Sequence, residues 1–117
     1  REWVAAGAHI NAAGAFTPAT RELDGETVAA ARLFVDKREA ALAEAGDILL
    51  PMQAGLFGPE HILADLGEVV IGSKPGRGSA EEITLFKSLG LPVEDAVAAE
   101  FVYRAALAGG VGKRVAF

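Results

Sequence analysis

The chain has no cysteine, which excludes disulfide scaffolds, thiolate metal sites and cysteine nucleophiles. Bulky aromatics are scarce: one tryptophan, one tyrosine and six phenylalanines in a composition that is 51% hydrophobic. Alanine and the branched aliphatics carry that hydrophobic content, which suits helices packed closely on a sheet better than an aromatic core. Positive charge is also in deficit. Eleven Lys and Arg stand against sixteen Asp and Glu, a formal charge of −5, so no basic face is available to neutralise phosphates and no nucleic-acid partner is expected. No apolar run is long enough to cross a bilayer and no basic segment leads into one, so the chain reads as soluble, with no membrane partner, and a cytoplasmic setting is permitted. The two histidines, His9 and His61, sit on unrelated stretches, and no cluster has metal-ligand spacing, so no metal is expected.

At 117 residues there is room for one domain and one small core. Residues 8–12, inside the apolar and nearly uncharged stretch 3–12, read as a strand buried on both faces of a parallel sheet. Small residues follow, with Gly14 and Pro18 breaking the run, and Asp24 is placed to cap a short helix over residues 26–31. Arg32-Leu33-Phe34-Val35-Asp36 is a second buried strand. Asp36 and Glu39 form a capping-box-like start and Gly46 a stop, giving a helix over residues 37–45. Asp47-Ile48-Leu49-Leu50-Pro51 reads as loop with room for a short strand, because proline ends most elements. Pro59-Glu60 opens a helix in which Ile62, Leu63, Leu66, Val69 and Val70 recur at helical steps, interrupted at Gly67. Residues 72–79 are loop and residues 83–88 a third strand. The last helix starts at Pro92, with Glu94 and Asp95 in its first turn, a Glu100/Arg104 pair, and Gly109-Gly110 at its end. Val93, Val97, Phe101 and Ala105 fall on one face, so it is expected to pack along its length, and residues 111–117 are expected to fray or to be borrowed by a partner.

In order these elements make an α/β unit, half of a Rossmann-like doubly wound parallel sheet (βαβαβ) plus a C-terminal helix, and residues 1–117 are expected to form a single partial dinucleotide-binding domain. No G-x-G-x-x-G or G-x-G-x-x-A follows any strand, so a pyrophosphate finds no cradle in this stretch. The loop Lys74-Pro75-Gly76-Arg77-Gly78-Ser79 lacks the Gly-Lys-Ser/Thr ending of a phosphate loop and reads as a plain turn.

Several motifs stand together in order. His9-Ile10-Asn11-Ala12-Ala13-Gly14-Ala15-Phe16-Thr17-Pro18, Arg21-Glu22-Leu23-Asp24, Leu66-Gly67-Glu68-Val69, Gly72-Ser73-Lys74-Pro75-Gly76-Arg77 and Ile83-Thr84-Leu85-Phe86-Lys87-Ser88-Leu89-Gly90, closed by Val93-Glu94-Asp95, resemble the ornithine cyclodeaminase/mu-crystallin family. The resemblance covers essentially the whole chain but only the C-terminal part of a family protein, so the chain is expected to be a fragment holding half a site. It implies an NAD- or NADP-dependent oxidoreductase that transfers hydride at an amino-acid or imine carbon, with a small amino-acid or imine substrate and a homo-oligomeric, dimeric assembly. It further implies cofactor contacts at Ala13, Gly14 and Ser88, and substrate-pocket positions at Phe16 and Glu44. No catalytic residue is assigned within the chain.

Phe16 stands where the cyclodeaminase pattern has an aspartate that assists ring closure, and a phenyl ring accepts no proton. The pattern is most like the mu-crystallin-like ketimine reductases, which lack that aspartate too. An amino-acid dehydrogenase is the neighbouring possibility. From another class comes a non-catalytic remnant or interaction domain that associates with itself or with an N-terminal part. His9 reads as a hydrogen-bonded strand residue before it reads as a catalyst, and Asn11 as an organiser of the loop backbone.

Overall fold

A computed structural model describes residues 1–115. Four parallel strands form one sheet: β1 (His9–Ala12), β2 (Arg32–Val35), β3 (Ile62–Asp65) and β4 (Thr84–Lys87), in spatial order β1-β4-β2-β3. The last strand in sequence is therefore interior. Leu85 pairs with Ile10 on one side and Leu33 on the other, and all four strands end at one edge. This α/β sheet with a C-terminal helix is the Rossmann-like arrangement that the sequence predicts, with one strand more than expected.

Side chains alternate across the sheet, so the row Leu33, Val35, Leu85 and Ile62 faces one way. Against it lie α1 (Gly25–Ala30), α2 (Arg38–Glu44) and α3 (Gly46–Gln53), and the core is built from those strand residues with Val28, Ala31, Ala41, Ala45 and Ile48. Ala31, Ala41 and Ala45 on the helix side permit close helix-to-sheet approach. Asp24 caps α1 as expected, its carboxylate accepting the Thr27 amide at 2.8 Å.

Five sequence expectations are corrected. The strand β1 is not buried on both faces: it is an edge, with His9 and Asn11 exposed and Ala12 buried. The helix expected from Pro59 is a 3₁₀ turn (Pro59–His61), the strand β3 and the short helix α4 (Leu66–Val70). The apolar steps at 62, 63, 66, 69 and 70 fit a helix, but burial alternates through Ile62, Leu63 and Ala64, and pairing with β2 decides the outcome. Residues 47–51 are helical, inside α3, at the cost of the one N–H that Pro51 lacks. Asp36 does not open a capping box with Glu39; the N-cap of α2 is Lys37, and the Arg38 amide is met from β3 by Asp65 Oδ1 at 2.9 Å.

The fifth correction concerns α5 (Pro92–Gly109), which the sequence bounds well. It buries no residue; Val97 and Phe101 are 64% and 73% exposed. The apolar face is present without a partner among the described residues. Of the tail, residues 111–115 are exposed coil, and residues 116 and 117 lie outside the described residues.

Candidate functional site at the carboxyl edge of the sheet

Parallel strands deliver their ends, and the loops that follow, to one edge, and open α/β sheets bind ligands there. The Ser88 amide donates to the Ala12 carbonyl at 3.0 Å, so the register of β1 and β4 continues one residue past the strands. Continued by one residue, that register sets Ser88 level with Ala13, and Gly14 follows in the chain.

Ser88 is also held from β2. Asp36, 7% exposed, accepts the Leu89 amide at 2.7 Å and the Gly90 amide at 2.9 Å on Oδ2, where the Ser88 hydroxyl also donates at 3.2 Å. Its Oδ1 accepts the Lys37 amide at 2.8 Å. Gly90 has φ +83°, a conformation that glycine adopts at no steric cost and that turns its amide toward Asp36. The Ser88 hydroxyl proton is committed to Asp36, one oxygen lone pair receives the Gly90 amide at 3.2 Å, and one remains. At the edge Ser88 is an acceptor.

The loop of residues 13–23 after β1 is stitched rather than loose. Glu22 folds back so that Oε2 accepts the Gly14 amide at 2.8 Å and the Ala15 amide at 3.1 Å. These two amides, Ala15 first, together with the Lys87 ammonium, lower the Glu22 carboxyl below its usual 4.5. A Cβ on Gly14 would sit 2.7 Å from Glu22 Oε1, so a larger residue there would push the Glu22 carboxylate aside. Asp47, buried at the start of α3, accepts the Glu22 and Leu23 amides on Oδ1 at 2.8 and 3.0 Å. Gly46 donates its amide to the Thr17 carbonyl at 3.2 Å, and a Cβ there would meet the Thr20 and Thr17 carbonyl oxygens at 2.1 and 2.7 Å. Phe16, 65% exposed, projects from this loop. Glu44 is exposed at the end of α2, two residues before Gly46.

Helix N-termini at such an edge ordinarily seat a phosphate. Here carboxylates occupy them: Asp24 at α1, Asp65 at α2, and the Asp65/Glu68 box at α4. The loop around residues 72–79 is likewise filled by its own chain. Gly78 donates to Glu82 at 2.6 Å, and Arg77 spends its guanidinium on the Ala8 and Glu82 carbonyls and the Thr84 hydroxyl. The plain-turn reading of that loop agrees with the structure. The edge therefore carries small residues and a hydrogen-bond acceptor, and the starts of α1, α2 and α4 are taken by carboxylates of the chain itself.

His9 and Asn11 lie on the sheet face opposite the core, lining an open cavity of about 560 Å³ with Phe34, Phe86, Leu66 and Val69. His9 Nδ1 lies 2.7 Å from Thr84 Oγ1, which also accepts from Arg77 at 2.8 Å, and Nε2 lies 3.2 Å from Asn11 Oδ1. His9 is thus a doubly hydrogen-bonded residue at the amino end of its strand, away from the carboxyl edge. Sequence reasoning missed Glu22, Asp47, Asp36 and Lys87 as organisers of the edge. Glu22 and Lys87 lay inside recognised motifs, but Lys87 finds Glu22 and Ala15 65 and 72 residues away and Asp36 finds its partners after β4 52 to 54 residues away, and only the fold pairs them. No three His, Asp or Glu side chains group as a metal site among the described residues, and no helix there is long and apolar enough to cross a membrane.

Residues 1–110 match the model of the ornithine cyclodeaminase/mu-crystallin family. The chain is 54% identical over 102 residues to the ketimine reductase mu-crystallin of Mus musculus, covering 87% of this chain and 30% of that protein. It superposes with TM-score 0.88 and 48% identity on Thermococcus litoralis Delta(1)-pyrroline-2-carboxylate reductase, solved in complex with NADH and L-proline, over 97% of this chain and 35% of that one. An archaeal alanine dehydrogenase, solved as a dimer with bound NAD, follows at TM-score 0.83 and 43% identity, over 99% of this chain and 36% of that one. The chain spans about a third of the length of the curated relatives it matches.

Proposed function

Because the chain belongs to the ornithine cyclodeaminase/mu-crystallin family, we propose that it supplies the nicotinamide side of the dinucleotide site in an NAD- or NADP-dependent oxidoreductase acting on carbon–nitrogen bonds. The reaction is reduction of a small cyclic ketimine or imino acid, with oxidation of an amino acid as its counterpart. The observation that carries this reading is the Ser88 to Ala12 hydrogen bond, which puts Ser88 against the small-residue loop at the carboxyl edge. The reduced nicotinamide supplies the hydride when it is bound. The chain's own residues orient the ring: Ala13 and Gly14 permit close approach, and the free lone pair of Ser88 suits the carboxamide N–H.

Phe16 and Glu44 belong to the substrate side. A phenyl ring walls a pocket and excludes water but holds no proton, which favours imine reduction over ornithine cyclisation. With carboxylates at three helix starts, this chain grips the cofactor weakly by itself and does not turn over alone. NADH titrated into the isotope-labelled chain is expected to move the amide signals of Ala13, Gly14 and Ser88 without reaching micromolar affinity. A titration that leaves those three signals unmoved contradicts the reading.

A second reading is favoured by α5, whose apolar residues stand exposed along the whole helix. It makes the chain a non-catalytic interaction domain that pairs with a copy of itself or with an N-terminal part. Light scattering separates the self-pairing form of it: a monomer at high concentration contradicts that form.

A further inference from the structure

Lys87 is the largest fully buried side chain of the protein, with no exposed surface, and neither the family motif nor the proposed chemistry gives its ammonium a task. Burying a lysine is costly unless its charge and donors are met. Here Nζ donates to the Ala15 carbonyl at 2.5 Å and to Glu22 Oε2 at 3.2 Å, and pairs with Asp47 Oδ2 at 3.1 Å. That last contact is an ion pair out of line for a hydrogen bond. Each of the three acceptors belongs to, or itself holds, the loop of residues 13–23. Ala15 is in the loop, Glu22 carries the Gly14 and Ala15 amides, and Asp47 carries the Glu22 and Leu23 amides.

We propose that Lys87 is a positioning residue: a buried cationic post on β4 that, through Glu22 and Asp47, holds the residue 13–23 loop pre-formed at the carboxyl edge, so that the ring site exists before any ligand arrives. The inference rests on the reading of that edge as the nicotinamide side. Lys87 touches no reacting atom in this arrangement. It acts by fixing one carbonyl directly and two amides through a carboxylate, and its strand position ties that loop to Ser88, the next residue in the chain. A pre-formed loop spares the ligand the entropy of ordering it.

The experiment is amide hydrogen exchange on the chain, followed by NADH titration, for wild type, E22A, E22Q and the charge-balanced double variant K87M/D47N. Exchange at Gly14 and Ala15 is expected to accelerate at least about tenfold in E22A and in K87M/D47N, while Leu33 and Leu85 in the sheet stay protected. E22Q keeps a carbonyl acceptor for both amides and is expected to restore most of their protection. The NADH-induced shifts at Ala13 and Gly14 are expected to weaken in E22A and to return in E22Q, a rescue that a loss of general stability does not produce. Unchanged Gly14 and Ala15 exchange overturns the proposal, whether it is seen in E22A or in the folded K87M/D47N variant. If wild type shows no NADH-induced shifts, the nicotinamide reading fails, and the exchange comparison still decides whether Lys87 pre-forms the loop.

Discussion

Asp36 Oδ2 accepts the amide of Leu89 at 2.7 Å across a separation of 53 residues, tying the end of β2 to the turn that follows β4. The same oxygen takes the Gly90 amide and the Ser88 hydroxyl, so one buried carboxylate shapes the turn on which Ser88 sits.

Replacing that carboxylate should be felt more than replacing the serine. Asp36→Ala removes the charged acceptor of three part-buried hydrogen bonds, from the Lys37, Leu89 and Gly90 amides, and is expected to cost about 2–4 kcal/mol, whereas Ser88→Ala leaves all three in place and is expected to cost about 1 kcal/mol or less. Urea denaturation of the two variants checks the order.

Lys87→Met leaves Asp47, whose side chain is 1% exposed, as a buried carboxylate without a countercharge. The expected loss is about 3–5 kcal/mol, and K87M/D47N, which removes both charges, is expected to recover much of it. A double-mutant cycle measured by denaturant midpoints reads the coupling directly.

Two glycines give a contrast in one experiment. Gly46→Ala drives a methyl into the Thr20 and Thr17 carbonyls and is expected to destabilise by about 1–3 kcal/mol or to displace residues 17–20. Gly67→Ala lies in α4 with nothing within 4 Å, and is expected to be neutral or to stabilise by up to about 1 kcal/mol. Thermal unfolding of both variants is the measurement.

Acid should release the loop before the sheet. The folded-state pKa of Glu22 is lowered, by the Ala15 amide first, so its contribution is fully present above the usual glutamate value of 4.5 and is lost as pH falls through the lowered folded value. Asp24, lowered chiefly by the Thr27 hydroxyl and amide, follows the same sign from its usual 3.8 and weakens the cap of α1 in the same direction. Amide chemical shifts of Gly14 and Ala15 followed from pH 7 downward are expected to report the Glu22 step, and E22Q to abolish it while the Asp24 step at Thr27 remains.

What the sequence made legible were the local devices: the Asp24 cap, the bounds of α5, and strands with period-two or continuously apolar character such as β2 and β4. The strand β3 was hidden because its four residues merge with the helical steps of α4, although Asp65 and Glu68 already spelled the capping box that divides them. The edge position of β1 depends on the last strand inserting between it and β2, which no local pattern encodes. The family resemblance implies Ala13, Gly14 and Ser88 as cofactor positions, and the fold sets Ser88 level with the residue after β1. The charges that organise them were not readable, since Lys87 and Glu22 resemble ordinary surface residues until the fold puts them 3.2 Å apart.

The central claim is that this chain presents the nicotinamide end of a dinucleotide site and not the adenosine end. The direct measurement is a pair of amide shift titrations, one with reduced nicotinamide mononucleotide and one with AMP. Shifts at Ala13, Gly14 and Ser88 with the nicotinamide compound, and none there with AMP, are the predicted result. Shifts at those residues with AMP and none with the nicotinamide compound would contradict it.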